Sequence, residues 1–416
     1  MKKILSILTI STLTASIPAP LLAAVPLTNT LTSKSNNDYL PIKEINGITD
    51  RVNSIAVDTK DNIYFCTDNG AFVLKHGATT PTKINGIKGI INHISVDTKD
   101  NIYFAGGDGA FVLKHGATTP TKINGINMTA YSVAVDSKDN VYISWYFGIH
   151  KLLVDSDTLI KINGVEINTD ILNIDSKDNI YFAGGDGAFV LKHGSTTPTK
   201  IDGIDGLIYS LAVDNSNNIY FGTDNGVYKL SAGATTPTKI NGISGFVKTI
   251  VVDSKDNIYF GTNSGLFVLK HGKTTPTKIN GISGFVKTIA VDSSNNIYFA
   301  GNDWVKFTTT VLDWVKQQSQ LTVDSTKTQT WTRPDLLSVD GELNIDIANP
   351  NIDKVIFDNV QQPQTSKQWK INVKPETTAR DHNLQVMFTL DGKQYTSEIT
   401  VSMQAKIDPP TPSKQE

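Results

Sequence analysis

The sequence returns to itself every 39 residues, and this interval constrains the fold more than any other feature of the chain. A run of small or apolar residues ending in aspartate recurs at Asp58, Asp97, Asp136, Asp175, Asp214, Asp253 and Asp292. A second column keeps step with it: Asn62, Asn101, Asn140, Asn179, Asn218, Asn257 and Asn296 each precede Ile or Val and then Tyr. Seven copies without drift make the repeat specific. Each unit reads as four short strands. In the first unit these are Ser54–Val57, a strand beginning at Ile63, Ala71–Lys75 and Thr82–Ile84. Turn formers separate them: Asp-Thr-Lys-Asp-Asn, then Asp-Asn-Gly, then a stretch of Gly, Thr and Pro.

Units of four short strands at a period of about 40 residues predict a β-propeller, whose blades bury both faces against their neighbours. Burial on both faces accounts for strands that are apolar in succession rather than alternating. A leucine-rich solenoid repeats at roughly 20–29 residues with one strand per unit, so the period argues against it. The fourth-strand motif first occurs as Ile45-Asn46-Gly47, ahead of the first inner strand, whereas the last unit ends after its third strand near Val305–Thr308. An N-terminal strand is therefore predicted to complete the last blade. That closes an all-β, seven-bladed ring over residues 39–310 and leaves no open end to cap. Pro81, Pro120, Pro198, Pro237 and Pro276 fall on outer strands, where a missing N–H is tolerated.

The flanks read differently. Lys2 and Lys3, the apolar run Ile4–Ile17 and the stretch Pro18 to Ala24 predict an export signal over residues 1–24, cut after Ala23 or Ala24. The apolar run is shorter than the roughly 18 residues a spanning helix needs, so no membrane span is expected after cleavage, and a secreted or surface-associated protein is. Residues 25–38, rich in Thr, Ser and Asn, read as a flexible lead-in. Beyond Val311 the period is lost. Residues 311–318 read as a linker and 319–406 as an immunoglobulin-like β-sandwich of about seven strands, including Glu342–Ile347, Lys354–Phe357, Trp369–Val373, Leu384–Leu390 and Tyr395–Met403. Asp391-Gly392 reads as a hairpin turn, and residues 407–416, with three prolines, as a disordered tail.

Composition removes several functions. Lys and Arg total 38 against 40 Asp and Glu, which leaves no cationic surplus for a nucleic acid. One cysteine, Cys66, excludes an intramolecular disulfide framework, and its column (Ala105, Ser144, Ala183, Gly222, Gly261, Ala300) marks it as a small packed residue. His76, His115, His193 and His271 share a column, but equivalent positions around a ring lie too far apart to converge on one zinc ion. The Asp58 column lacks the glycine and distal Glu of a calcium loop and reads as turn capping. No metal and no cofactor are expected.

The segment Asp214–Leu230, with its Asp turn, Ile-Tyr-Phe-Gly-Thr and Asp-Asn-Gly, resembles the propeller repeats of the NHL type and of bacterial two-component-regulator sensor domains. The resemblance covers residues 39–310. It implies a propeller, a fold that serves ligand sensors, adhesins and, less often, enzymes. The signal sequence resembles those of exported proteins of wall-less bacteria such as spiroplasmas, which implies a surface, adhesin-related role. Streptogramin-type lyases and sugar-lactone hydrolases share the architecture, but their sites need unique polar or metal-binding residues converging from different blades. The blades here are near-copies, and His93 and His150 have no acid, base or metal partner nearby in sequence, so no catalytic residue is predicted.

What differs between blades lies where the fourth strand of one passes to the first of the next, as in Ile48–Asn53, Ile87–Asn92 and Ile126–Tyr131. The residue before each inner strand reads Asn53, Asn92, Tyr131, Asp170, Tyr209, Lys248 and Lys287, a mixed polar and aromatic ring at the channel mouth. Blade three departs furthest, with Trp145, Tyr146 and Phe147. Tyr131, Trp145, Tyr146, Asp170, Tyr209, Lys248 and Lys287 are the expected ligand-binding residues, since aromatics concentrate at binding hot spots. Packing between blades is the competing reading for several of them, and for Phe246 and Phe285 in the duplicated GFVKT segments. The expected function is non-enzymatic recognition of a host or surface protein, peptide or glycan. A propeller hydrolase or lyase with a channel metal, and a structural surface-coat component, are the alternatives.

Overall fold

The structure, a computed structural model, describes residue 39, residues 42–309 apart from 147, 155, 157, 166–168 and 303, and strand segments between 320 and 403. The expected signal (1–24), lead-in (25–38), linker (311–318) and tail (407–416) lie outside the described residues. Every regular element among the described residues is a strand. The chain divides into two compact units at Thr308–Thr309.

The first unit holds seven four-stranded antiparallel sheets, one per repeat, as in a seven-bladed propeller. Blade 1 is Val52–Val57, Ile63–Thr67, Gly70–Leu74 and Thr82–Ile84, in that spatial order. The first strand of each sheet lies against the first strand of the next, and the first strand of blade 7 (Thr288–Val291) lies against that of blade 1. The innermost strands thus form a closed ring. The outer edge of blade 7 comes from the N-terminus: Lys43 pairs with Phe307 and Glu44 with Lys306, and Ile45 N donates to Val305 O at 2.9 Å.

Packing follows the repeat. Phe65, Phe104, Phe182, Phe221, Phe260 and Phe299, in the middle of the second strands, have no exposure, and Ile143 holds the position in blade 3. Each apolar cluster joins two adjacent blades. Phe65 and Ile63 of blade 1 pack with Tyr298 and Phe307 of blade 7, and Phe104 and Ile91 of blade 2 with Tyr64 and Ala71 of blade 1. Cys66 is fully buried in the latter cluster, and burial pushes its thiol well above the usual range.

Register places the loops. Val52 pairs with Thr67 and Thr67 with Gly70, so the crossovers entering the inner strands and the hairpins between second and third strands share one end of the propeller. Val57 pairs with Ile63 and Ile63 with Leu74, which puts the Asp-Asn turns and the third-strand exits at the other end. The hairpin glycine ties hairpin to crossover. Gly109 has φ +115, and a Cβ there would sit 2.2 Å from Ile126 O of the crossover; Gly148 and Gly265 meet Val165 O and Ile282 O in the same way.

The second unit contains two sheets. One has the order Gln320–Val323, Leu343–Ala348, Gln368–Val373, Gln364–Thr365. The other runs Gln329–Thr332, Leu336–Val339, Lys393–Met403, Arg380–Leu390, Ile352–Phe357, Val360–Gln361, with the Leu336–Val339 and Lys393–Met403 pair parallel. Of the strands beyond those named from the sequence, Leu336–Val339 is interior to its sheet, while the others lie at sheet edges, such as Val360–Gln361, whose two residues carry no readable alternation.

Candidate functional site

The two ends of the propeller differ in chemistry. At the turn end the repeated polar residues are consumed by structure. Asp58 Oδ1 accepts from the N–H groups of Lys60 (3.0 Å) and Asn62 (2.8 Å), while Oδ2 accepts from Asn62 Nδ2 (2.7 Å) and Tyr64 Oη (3.1 Å). Asn62 Oδ1 in turn accepts from His76 N at 2.9 Å, which fastens the third-strand exit to the turn. The same clasp recurs around the ring, for example at Asp97 and Asp214. Burial and the adjacent carboxylate push the phenols of Tyr64, Tyr142 and Tyr220 above their ordinary range and that of Tyr181 to about 12. These tyrosines are therefore protonated donors, unsuited to proton transfer near neutrality.

The next aspartate of the turn joins blades. Asp61, Asp100, Asp139, Asp178, Asn217, Asp256 and Asn295 all adopt the left-handed conformation, with φ between 58° and 61°. Asp100 accepts from Thr59 N (2.9 Å) and Thr59 Oγ1 (2.8 Å) of the preceding blade. Asp139 accepts from Thr98, Asp178 from Ser137, Asn217 from Ser176 and Asp256 from Asn215. Ser293 of blade 7 donates to Asp61 of blade 1 through its N–H at 2.9 Å and its hydroxyl at 2.6 Å, so the clasp ties six of the seven blade junctions. Burial alone would raise the Asp100 carboxyl, but the Thr59 hydrogen bonds, Lys60 and His115 together hold it below the usual range. Sequence reading found the cap and missed this inter-blade clasp, because the periodicity of a column does not say which blade its side chain reaches.

The crossover end carries the individuality. In blades 1, 2, 3, 5 and 6 the register slips by one residue at Asn53, Asn92, Tyr131, Tyr209 and Lys248. Such a bulge re-aims the side chain at the point where the inner strand begins. Five of the seven residues of the predicted ring column are therefore bulged, Asp170 and Lys287 being the exceptions. Asn53 Nδ2 donates to Asp68 Oδ1 (2.9 Å) and to Ile91 O of the next blade (3.0 Å), and Asn92 Nδ2 donates to Ala130 O (2.9 Å). Arg51 Nε lies 3.1 Å from Asp68 Oδ2.

An arc of interacting side chains runs across blades 4 to 1. Lys248 Nζ lies 5.3 Å from the centre of the Tyr209 ring. Tyr209 meets Phe246 edge to face at 4.5 Å, and Phe246 meets Phe285 at 5.9 Å. Lys287 Nζ donates to Asn53 Oδ1. Burial draws the Lys248 ammonium below the usual lysine range, with Asp170 pulling the other way. Burial, with Arg51 and Lys248 adding and Asp68 opposing, draws Lys287 down to about 8. Asp170, at the exposed rim, is raised by burial of its carboxyl and opposed by Lys248.

The arc thus brings together four of the predicted residues, Asp170, Tyr209, Lys248 and Lys287. Tyr131 is half-buried on its own bulge in blade 3. Trp145 and Tyr146, neighbours in sequence, part company. Trp145 is packed, only 9% exposed, with its indole N–H donating to His150 Nδ1 at 2.8 Å and the two rings edge to face at 5.3 Å. Tyr146 follows at the hairpin tip, 56% exposed. Three further side chains stand out on this end: Ile90 (46% exposed), Met128 (49%) and Leu207 (54%) lie in crossovers. Sequence reading passed over them, although Ile90 and Leu207 share a column with Phe246 and Phe285, where other blades carry Arg51 and Thr129, and Met128 departs from a column that includes Asp50 and Gly89.

No family model matches the chain, and no curated protein matches it. Solved structures do. The extracellular domain of a one-component system from B. thetaiotaomicron superposes with a TM-score of 0.57 at 14% identity, covering 90% of this chain and 59% of that one. A streptogramin B lyase gives 0.58 at 12% identity, covering 67% of this chain and all of the lyase. PorZ, a surface component of the type-IX secretion system of Porphyromonas gingivalis, gives 0.55 at 14% identity, covering 87% and 61%. At these identities the likeness is one of fold, and the fold is the β-propeller.

Proposed function

We propose that the chain is an exported, non-enzymatic recognition module that binds a surface partner through the crossover end of its propeller. The observation that carries this reading is the set Ile90, Met128, Tyr146 and Leu207, large apolar side chains held in solvent at that end. Apolar groups displayed together on a rigid scaffold, with polar side chains among them, mark interaction sites. At the turn end the exposed large apolar side chains are Leu153 and Val154, both at the third-strand exit of blade 3, and the repeated Asp, Asn and Tyr groups are bonded to one another and to the backbone, so they are committed to the fold. Extracellular and surface placement of two propeller neighbours is consistent with export.

The C-terminal unit is read as the immunoglobulin-like sandwich that the sequence pattern predicts. In its support, the two sheets contain respectively four and six strands, and the first strands contribute to both sheets, as expected where a chain crosses between the layers of a sandwich.

The test is binding of the purified full chain to intact host cells and to a glycan array, with and without a chelator. Leu207→Glu and Met128→Glu should each weaken binding by about tenfold or more, since a charge replaces an apolar contact at the interface. Lys138→Glu at the turn end should leave binding unchanged. Metal-dependent turnover of a substrate in place of chelator-resistant binding would overturn the reading in favour of a propeller hydrolase or lyase.

A further inference from the structure

Lys248 and Lys287 are half-buried at the channel mouth, and among the described residues no carboxylate lies within ion-pair distance of either ammonium group. Each is instead faced by a weaker partner, the Tyr209 ring in one case and the Asn53 amide oxygen in the other. The carboxylates nearest in effect, Asp170 and Asp68, act at longer range, and Asp68 is already engaged by Arg51 and Asn53. A cation withdrawn from water without a counter-charge costs free energy that an incoming anion relieves. The duplicated Gly-Phe-Val-Lys-Thr segments put these two lysines next to Phe246 and Phe285, so the cationic spot has an apolar wall.

Resting on the recognition reading above, we infer that the partner is a protein segment that seats an acidic side chain between Lys248 and Lys287, with apolar residues around that carboxylate lying on Phe246 and Leu207. Charge complementarity chooses the acidic group. The aliphatic character of Ile90, Met128 and Leu207 chooses a protein over a glycan, because a saccharide gains most from flat aromatic faces and hydrogen bonds, whereas exposed Ile, Met and Leu find their match in apolar side chains.

The probe is a random peptide library displayed on phage, selected against the immobilised full chain. The tightest selected peptide is then synthesised and titrated against the wild type, Lys248→Ala, Lys287→Ala and Leu207→Glu. The inference expects Asp or Glu next to apolar residues in the selected sequences. It also expects a loss of about tenfold or more in affinity in each lysine variant, and non-additive losses when the lysine change is combined with Asp→Asn or Glu→Gln in the peptide. Lys248→Arg and Lys287→Arg should retain most of the affinity, and circular dichroism should show every variant folded. Peptides without an acidic residue, or indifferent to the lysine changes while sensitive to Leu207→Glu, overturn this inference and leave the recognition reading standing. The same holds if sulfated or uronate oligosaccharides bind through the lysines and no peptide does. Absence of any ligand, peptide or saccharide, whose binding responds to these variants removes both.

Discussion

At the scale of single residues, the repeated letters of this chain are joints, and each has a chemical reason. Asp214 accepts from two backbone N–H groups, from Asn218 Nδ2 and from Tyr220 Oη. Asp214→Ala leaves those buried donors unmet and should cost about 2–4 kcal/mol, read as a lowered urea midpoint at unchanged slope. Gly109→Ala combines a left-handed backbone with a Cβ driven against Ile126 O, and should destabilise by about 2 kcal/mol or more, whereas Gly116→Ala, with open space around it, should cost less. His93 gives a pH test. It stands where other blades carry Ser54, Ser132 and Ser210, and its Nδ1 lies 3.3 Å from Val133 N and 3.1 Å from Val133 O. Burial lowers its imidazole from 6.5 to about 4. The folded state therefore favours the neutral ring: the associated stability is present above the unfolded value and is lost as pH falls through about 4. Asp292 runs the other way, because burial raises its carboxyl from 3.8 to about 6, so its contribution is full below 3.8 and is lost as pH rises through about 6. The two windows overlap with opposite sign, so wild-type melting alone does not separate them. His93→Ser does: its melting temperature relative to wild type should rise as the pH is taken from 7.5 to 4.5, and a constant difference would contradict the assignment.

At the scale of elements, the blade was legible because its signal is arithmetic. The outer strand Thr82–Ile84 falls at the predicted residues, and the prediction that an N-terminal strand completes blade 7 corresponds to the pairing of Lys43–Glu44 with Lys306 and Phe307. The inner strand begins earlier than its apolar pattern suggested, at Val52 rather than Ser54, because the bulge at Asn53 breaks the alternation from which a strand start is read. The proposed binding residues were legible as departures from the repeat, but departure alone does not say which way a side chain turns. Trp145 departs as sharply as Tyr146, yet it pairs across to Ala130 and finds a hydrogen-bond partner in His150, which takes it inside. The closing strand invites its own test. Among the described residues, two of its residues are paired, and Ile45, 6% exposed, anchors it in the cluster shared by blades 7 and 1. Ile45→Ala should cost about 2–4 kcal/mol, comparable to a core truncation inside a blade. A cost below about 0.5 kcal/mol, the usual range of a surface substitution, would mean that the ring does not depend on this closure.

At the scale of the whole propeller, one end is spent on holding seven blades together and the other is left to vary. Turn-end clasps tie six of the seven blade junctions, Ser293 to Asp61 among them, while inner-strand bonds such as Ser210 Oγ accepting from Ile250 N (2.7 Å) and Thr288 Oγ1 from Ile55 N (3.2 Å) add linkage near the axis. A ring tied in this way presents its crossovers on a preformed support, which reduces the ordering cost of binding. The division of labour between ends is the central claim, and it can be tested with the chemistry the chain already has. Cys66 is fully buried, with its thiol held protonated by that burial, so a single introduced cysteine reacts selectively with a thiol-directed polyethylene glycol. The measurement is cell binding by Tyr146→Cys and Lys138→Cys, before and after that reaction. The account predicts that the polymer at position 146 abolishes binding and at position 138 leaves it intact. Binding blocked from position 138 and untouched from position 146 would contradict it.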